Sequence, residues 1–313
     1  MTSTSESCSA PGAAPAREGI ARLVELADHA PSSHHTQPWA WRSTPEGLDL
    51  YAVPDRAAAH PDAVGRNTVI SCGAVLHHLQ HLAPALGWSP KVTHFPDGPA
   101  SSRLAAVRLT PMRVCQDAEE RIAAVRERRT DRERHTTWPV PEELLGDLAR
   151  IAARYGATAV AVHDITERFR LQRVVDRAAA LPRTGEEVAG APGAEVDDLE
   201  TSDTAVILGG VADNPLDWLR TGEALSAVWL RASAEGLSLV PLSRVITVDE
   251  TRVAVRQQVL GGLLAPHLVL RLGWRGLSRS QLDRLARRVL TETLDPPWLA
   301  GGSSAAQPSG IPT

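Results

Sequence analysis

Residues His29 to Trp41 read HAPSSHHTQPWAW, a crowd of hydroxyls, imidazoles and one amide set just before a Trp-x-Trp pair. Such groups are directed hydrogen-bond donors and acceptors. A solvent loop can be built from them, but two prolines and two tryptophans are an odd choice for one. A second polar stretch, RRTDRERHTTWPVPEELL from Arg128 to Leu145, begins with clustered guanidinium groups. By itself a run of alternating charge reads as a solvated face. His77 and His81 stand four apart with His78 between them, a spacing that can set two imidazoles on one metal. No Glu lies between them and no third ligand is near, which favours a helix-face role and no metal. The chain has no G-x-S-x-G elbow, no Walker loop and no G-x-G-x-x-G fingerprint, so hydrolase, P-loop and Rossmann chemistry have little support.

The elements that must hold these groups follow from periodicity. In EGIARLVELADHA the residues Ile20, Leu23, Val24, Leu26 and Ala27 recur at helical spacing, and QPWAWR and LDLYAV alternate as strands. A long helix near 63–86 comes next, then strands at KVTHF and LAAVRL. The second half repeats this grammar: a helix from Pro141, the strand ATAVAVHD, a helix from about 166, the strand TAVILGG, a helix over 215–235 and the strand LVPLSRV. A helix after Asp249, the strand HLVLRLGW and a helix from Ser278 close it. The plan is α+β, made twice.

The repetition has a register. Gly73–Trp88 laid on Gly222–Leu237, 149 positions on, matches Gly73 with Gly222, Leu76 with Leu225, Ala83 with Ala232, Ala85 with Ala234 and Gly87 with Gly236. Alanine and leucine align easily by chance, but a glycine at each end in register is harder to obtain, because a helix-terminal Gly serves a left-handed backbone. Two fused copies of one unit explain this better than two unrelated amphipathic helices. The division expected is a tail over 1–17, a first half over 18–116, a second half over 117–299 and a tail over 300–313. Both tails are rich in Ser, Ala, Gly and Pro, a composition that suits disorder.

The 313 residues carry a net charge of −4, which leaves no electrostatic footprint for nucleic acid or an anionic membrane and favours small-molecule chemistry. Three scattered cysteines make no disulfide framework and favour a reducing, cytoplasmic setting. No run of about 18 apolar residues suggests a membrane span.

Taken together, RRTDR followed by PVPEELL, APSSHHTQPW and GEALSAVWLRASAEGLSLVPLSRVI resemble the nitroreductase family of flavoproteins over about residues 19–275. The two-unit arrangement is similar to its fused, Acg-type branch. The resemblance implies a nitroreductase-like fold in two tandem copies forming an intramolecular pseudo-dimer, with antiparallel-rich central sheets flanked by helices and FMN held between the copies. It implies that Arg128, Thr130 and Arg132 hold the phosphate and pyrimidine edge, that Pro31, Ser32 and Ser33 with Gln37 and Trp39 lie against the ring, and that the strand carrying Gly236, Leu237, Pro241, Leu242 and Ser243 passes it. His35 stands where an Asn is usual, Thr130 replaces the commoner Ser and Arg244 replaces a frequent glycine.

These residue types suit the implied ligand. Guanidinium forks and a hydroxyl meet a phosphate dianion, each charge-assisted bond contributing roughly 1.5–3 kcal/mol. Ser32 and Ser33 can serve the polar rim of an isoalloxazine, Pro241 and Leu242 its apolar face, and a cation near N1 and O2, with Arg132 the candidate, would favour hydride uptake. The blander readings are a solvated Arg126–Arg134 face, a simple turn at Pro31–Ser33 and core packing for Trp39 and Trp41. The segment Leu181–Asp203 is short and acidic where fused relatives carry a lid, so a cofactor more open to solvent is expected. Three functions follow: an FMN-dependent oxidoreductase using NAD(P)H to reduce a nitro, quinone or similar small acceptor, with no protein acid or base required; a non-catalytic protein that stores FMN; or a flavin-free interaction module. The first leads narrowly.

Overall fold

The chain alternates helices with two antiparallel sheets of one topology. Its computed structural model describes residues 17–57, 65–128, 135–136, 138–181, 199, 204–275 and 286–300. Helix α1 (Arg17–Ala27) buries the apolar stripe read from its periodicity. Strands β1 (Trp39–Thr44) and β2 (Gly47–Ala52) form a hairpin, and Gly47, at φ 154°, is required there because a Cβ would sit 2.1 Å from the Val107 carbonyl oxygen. Helix α2 (Arg66–Leu82), β3 (Trp88–His94) and β4 (Arg103–Pro111) complete a sheet of order β1-β2-β4-β3.

Helix α3 (Ala118–Glu127) leads to Arg128, and α4 (Glu142–Arg154) follows with Pro141 as its N-cap. Strand β5 (Thr158–Val162) is followed by α5 (Ile165–Ala180), whose cap Asp164 accepts from the Thr166 and Glu167 amides. Then come β6 (Thr204–Gly210), α6 (Pro215–Ala234), β7 (Leu237–Leu242), α7 (Arg244–Thr247), α8 (Asp249–Ala254) and β8 (Ala265–Trp274). The second sheet runs β5-β6-β8-β7, the same order as the first. The strand read as LVPLSRV begins earlier and stops at Leu242, since Ser243 turns the chain into α7. The helix expected from Ser278 starts outside the described residues, as do residues 1–16 and 301–313 of the two tails and most of Leu181–Asp203.

The two long helices, α2 and α6, cross at the aligned glycines. A Cβ on Gly73 would lie 2.8 Å from the Gly222 Cα and 2.1 Å from the Leu219 carbonyl oxygen; a Cβ on Gly222 would lie 2.8 Å from the Gly73 Cα and 2.0 Å from the Ile70 carbonyl oxygen. Ile70 and Leu219 are themselves 149 apart, as are His77 and Ser226, whose Nδ1 and Oγ are 2.7 Å apart. Contacts that return on themselves at one fixed offset are those of a two-fold relation between the units. The register found in the sequence is thus the register of the interface.

One core runs through both units, from Leu23, Trp39 and Trp41 across α2 and α6 to Leu239 and Leu270. A second lies beneath α5, where Leu171, Val175, Leu242, Val245 and Val269 pack. After β8 the chain returns to the first unit through Ala286–Arg288 and α9 (Leu290–Thr293). Leu294 bridges Trp41 in parallel, and Asp295 accepts from the Ser43 amide and hydroxyl. No helix among the described residues is long and apolar enough to cross a membrane.

Candidate functional site

Helix α1 ends at Ala27, and Asp28 is the first buried polar group of the connection to β1. Its carboxylate, 3% exposed, accepts from Trp39 Nε1 at 2.8 Å and from Thr293 Oγ1 at 2.6 Å. Burial lifts its pKa to about 6, against the opposing pull of those two bonds and of Arg287 and Arg56. Trp39 and Trp41 are core residues, fully buried.

The Pro31–Pro38 loop is tied down at several points. Ser33 N–H donates to Ser71 Oγ on α2, Ser32 Oγ accepts from Gln37 N–H, Thr36 Oγ1 donates to the Ser33 carbonyl, and Cys72 Sγ donates to the Pro38 carbonyl. His34, His35 and Gln37 hold φ of 48°, 59° and 48°. A side chain with a Cβ disfavours that backbone, and such strain concentrates at functional sites.

Arg128 reaches this loop from the end of α3. Its Nη2 donates to the His29 carbonyl at 3.2 Å, and its guanidinium carbon lies 4.7 Å from the centre of a Trp229 ring on α6. The side chain is 7% exposed, yet Nε and Nη1 have no hydrogen-bond partner among the described residues. Burial, then the neighbouring Arg287, lowers its pKa to about 9. Arg287 donates to the Ala30 and His29 carbonyls at 2.9 and 3.1 Å, and burial holds it at about 10. His78 on α2 is fully buried with both ring nitrogens unpaired among the described residues, and burial, then Arg128, keeps it neutral. Two guanidinium groups therefore converge on one carbonyl, and one of them keeps a bonding edge open. A buried charge without a partner is costly, and an anion with several acceptor oxygens is the group that matches this edge.

Of the candidates read from the sequence, the structure brings Arg128 to the His29 carbonyl, just ahead of the segment that carries Pro31, Ser32, Ser33 and Gln37. Thr130 and Arg132 lie outside the described residues. Pro241, Leu242 and Ser243 end β7 in the second unit. Pro241 is half-buried, and Leu242 turns its side chain into the core beneath α5, so it offers no apolar face to a ring. The Ser243 carbonyl accepts from the Ile246 and Thr247 amides. Arg287 and Trp229 went unread in the sequence. A pair of arginines in a tail resembles any surface run until folding buries one of them.

His77 lies on the unit interface, bonded to Ser226 and packed edge-on against Tyr155 with ring centres 5.0 Å apart. Burial, followed by His81, lowers its pKa to about 3. Among the described residues no three His, Cys, Asp or Glu side chains gather as metal ligands.

No family model matches the chain. A protein of Mycobacterium tuberculosis classed by name among the NAD(P)H nitroreductases is 33% identical over 322 aligned residues, which take in 90% of this chain and 93% of the relative. Another from the same organism, acg, with the same class of name, is 28% identical over 81% of this chain and 88% of its own. Among solved structures, a nitroreductase of Bacteroides fragilis with bound FMN matches with a TM-score of 0.40 and 11% identity over 59% of this chain and 98% of that one. The FMN-dependent nitroreductase NfnB of Mycobacterium smegmatis, in complex with NADPH, matches with 0.39 and 13% over 54% and 99%.

Proposed function

The chain belongs to the NAD(P)H nitroreductase family, and from that premise we propose that it is an FMN-dependent oxidoreductase that transfers two electrons from NAD(P)H to a small acceptor such as a nitro compound or quinone. The observation that carries the reading is the open Nε–Nη1 edge of buried Arg128 beside Arg287. A phosphate dianion supplies acceptor oxygens for the open Arg128 edge and negative charge beside both guanidinium groups. Bound FMN would supply the redox chemistry, carrying a hydride equivalent from the reduced nicotinamide to the acceptor, which would take up one further proton from solvent.

The chain's own part is to bind and to orient. Arg128 and Arg287 hold the phosphate in this reading, and Thr130 and Arg132 continue the same motif. Ser32 and Ser33 present hydroxyls and amides from a loop fixed on α2, and Pro241 with the Ser243 backbone borders the ring from the second unit. The two units act as an intramolecular pseudo-dimer, each contributing part of one site, and divide at about residue 117. The lack of a signature for nucleic acid or membrane binding and the scattered cysteines support a cytoplasmic enzyme of small molecules.

The visible spectrum of protein reconstituted with FMN and freed of excess cofactor tests the reading, together with its bleaching by NADPH without oxygen. Bound flavin that bleaches, and that recovers with a nitroaromatic or quinone, is the expected result. Bound flavin that NADPH leaves oxidised would make this a storage protein, and colourless protein would refute flavin binding.

A further inference from the structure

Three successive residues near residue 287 grip the loop that Arg128 approaches. The Ala286 carbonyl accepts from His35 Nε2–H at 2.6 Å, Arg287 donates to the His29 and Ala30 carbonyls, and the Arg288 amide donates to Gln37 Oε1 at 3.0 Å. Gln37 is 3% exposed and engaged at every polar group. Its N–H reaches Ser32 Oγ, its carbonyl accepts from Arg56 Nη1, and its side-chain nitrogen donates to the His35 carbonyl at 3.4 Å. The loop so held contains the three left-handed residues His34, His35 and Gln37. A conformation of that kind persists only where its surroundings over-determine it, and here part of those surroundings comes from about 250 residues downstream.

We infer that Gln37 is a positioning residue that locks the Pro31–Gln37 loop to Ala286–Arg288, and that this returning segment is a working part of the cofactor site. Gln37 does not reach the cofactor. It fixes the backbone from which Ser32 and Ser33 face the ring, with the Ser32 hydroxyl as its nearest partner in the loop. His35 closes the same seam from the other side, its Nε2 carrying the proton because a carbonyl can only accept. This inference rests on the FMN reading given above, while the seam itself is independent of any ligand.

Hydrogen–deuterium exchange on flavin-free protein, combined with FMN titration followed by quenching of flavin fluorescence, separates the two. Gln37→Ala alters the loop side of the contact, and Arg288→Pro removes the amide donor of the returning segment together with the Arg288–Glu292 ion pair, for which Arg288→Ala is the control. Gln37→Ala should speed exchange in the peptide 286–300, and Arg288→Pro in the peptide 29–38, each about fivefold or more, as loss of one buried hydrogen bond implies. Both should weaken FMN binding by a similar factor, and the double variant should be no weaker than the worse single one, because the two share one contact. Gln37→Glu keeps an acceptor for the Arg288 amide and should restore slow exchange in 286–300. If Gln37→Ala weakens FMN while exchange in 286–300 is unchanged, Gln37 is a direct ligand and the inference is overturned. Unchanged exchange in 29–38 and unchanged affinity in Arg288→Pro overturn it as well. If the wild-type protein binds no FMN, the functional reading fails, and the exchange measurements still decide whether the seam couples the two segments.

Discussion

Asp28 offers a quantitative test of how the first unit is assembled. Its pKa stands at about 6 against an ordinary 3.8, a rise of about two units caused by burial. At 1.36 kcal/mol per unit this is about 3 kcal/mol. Because the folded protein holds the proton more tightly than the unfolded chain, this contribution is fully present below pH 3.8 and is lost as pH rises through 6. Roughly half of the loss lies above pH 5. Replacing Asp28 with Asn keeps an oxygen for Trp39 Nε1, and Thr293 can turn its hydroxyl to the Leu290 carbonyl, already 3.3 Å away. Asp28→Asn should therefore stabilise the protein at pH 8 by about 1–3 kcal/mol. Its advantage over wild type should shrink by roughly 1 kcal/mol between pH 8 and pH 5. Urea unfolding of both proteins across that range, followed by tryptophan fluorescence, measures the difference directly and cancels every other titration. A variant that is less stable than wild type by the same amount at both pH values would refute the reasoning, showing that the two hydrogen bonds outweigh the desolvation of the carboxylate.

Other perturbations have definite outcomes. Arg128→Ala should weaken FMN binding about 10- to 100-fold, the worth of one charge-assisted contact, measured by fluorescence titration. In flavin-free protein Arg128→Met should leave the melting temperature unchanged or raise it, since a buried cation with an open edge is removed. Gly73→Ala and Gly222→Ala each place a Cβ about 2 Å from a carbonyl oxygen of the facing helix, so either should cost more than about 3 kcal/mol or prevent folding, visible in the thermal melt. Ser226→Ala strips His77 Nδ1 of its partner in a buried site and should cost about 1–3 kcal/mol. That loss should be the same at pH 6 and pH 8, because His77 stays neutral at both.

Much of the frame was legible in the residues because it rests on local pattern. Alternation gave the β1–β2 hairpin, and the apolar stripe gave α1. The 149-residue offset between Gly73 and Gly222 was legible, but both glycines lie inside α2 and α6 rather than at helix ends, and the close crossing they permit was not. The Pro31–Gln37 loop and Arg128 were singled out by type and order, and they meet at the His29 carbonyl. What escaped detection depends on tertiary burial. Nothing in the ARRVL run at 286–290 distinguishes Arg287, drawn beneath the surface, from an ordinary solvated arginine. The left-handed backbone of two histidines and a glutamine carries no glycine to announce it. Leu242 was read as lining a slot, but alternation along β7 sends it into the core beneath α5.

The return of residues 286–300 to the first unit also sets an order of events during synthesis. The loop at residues 29–37 leaves the ribosome some 250 residues before its clasp does, and at 5–20 residues per second that is a wait of roughly 13 to 50 s. The amino-terminal sheet can form early, but its polar loop must wait unclasped through translation of the whole second unit. A chain halted before residue 286 would carry both sheets and still lack the seam, so the loop is clasped only after the second sheet is complete.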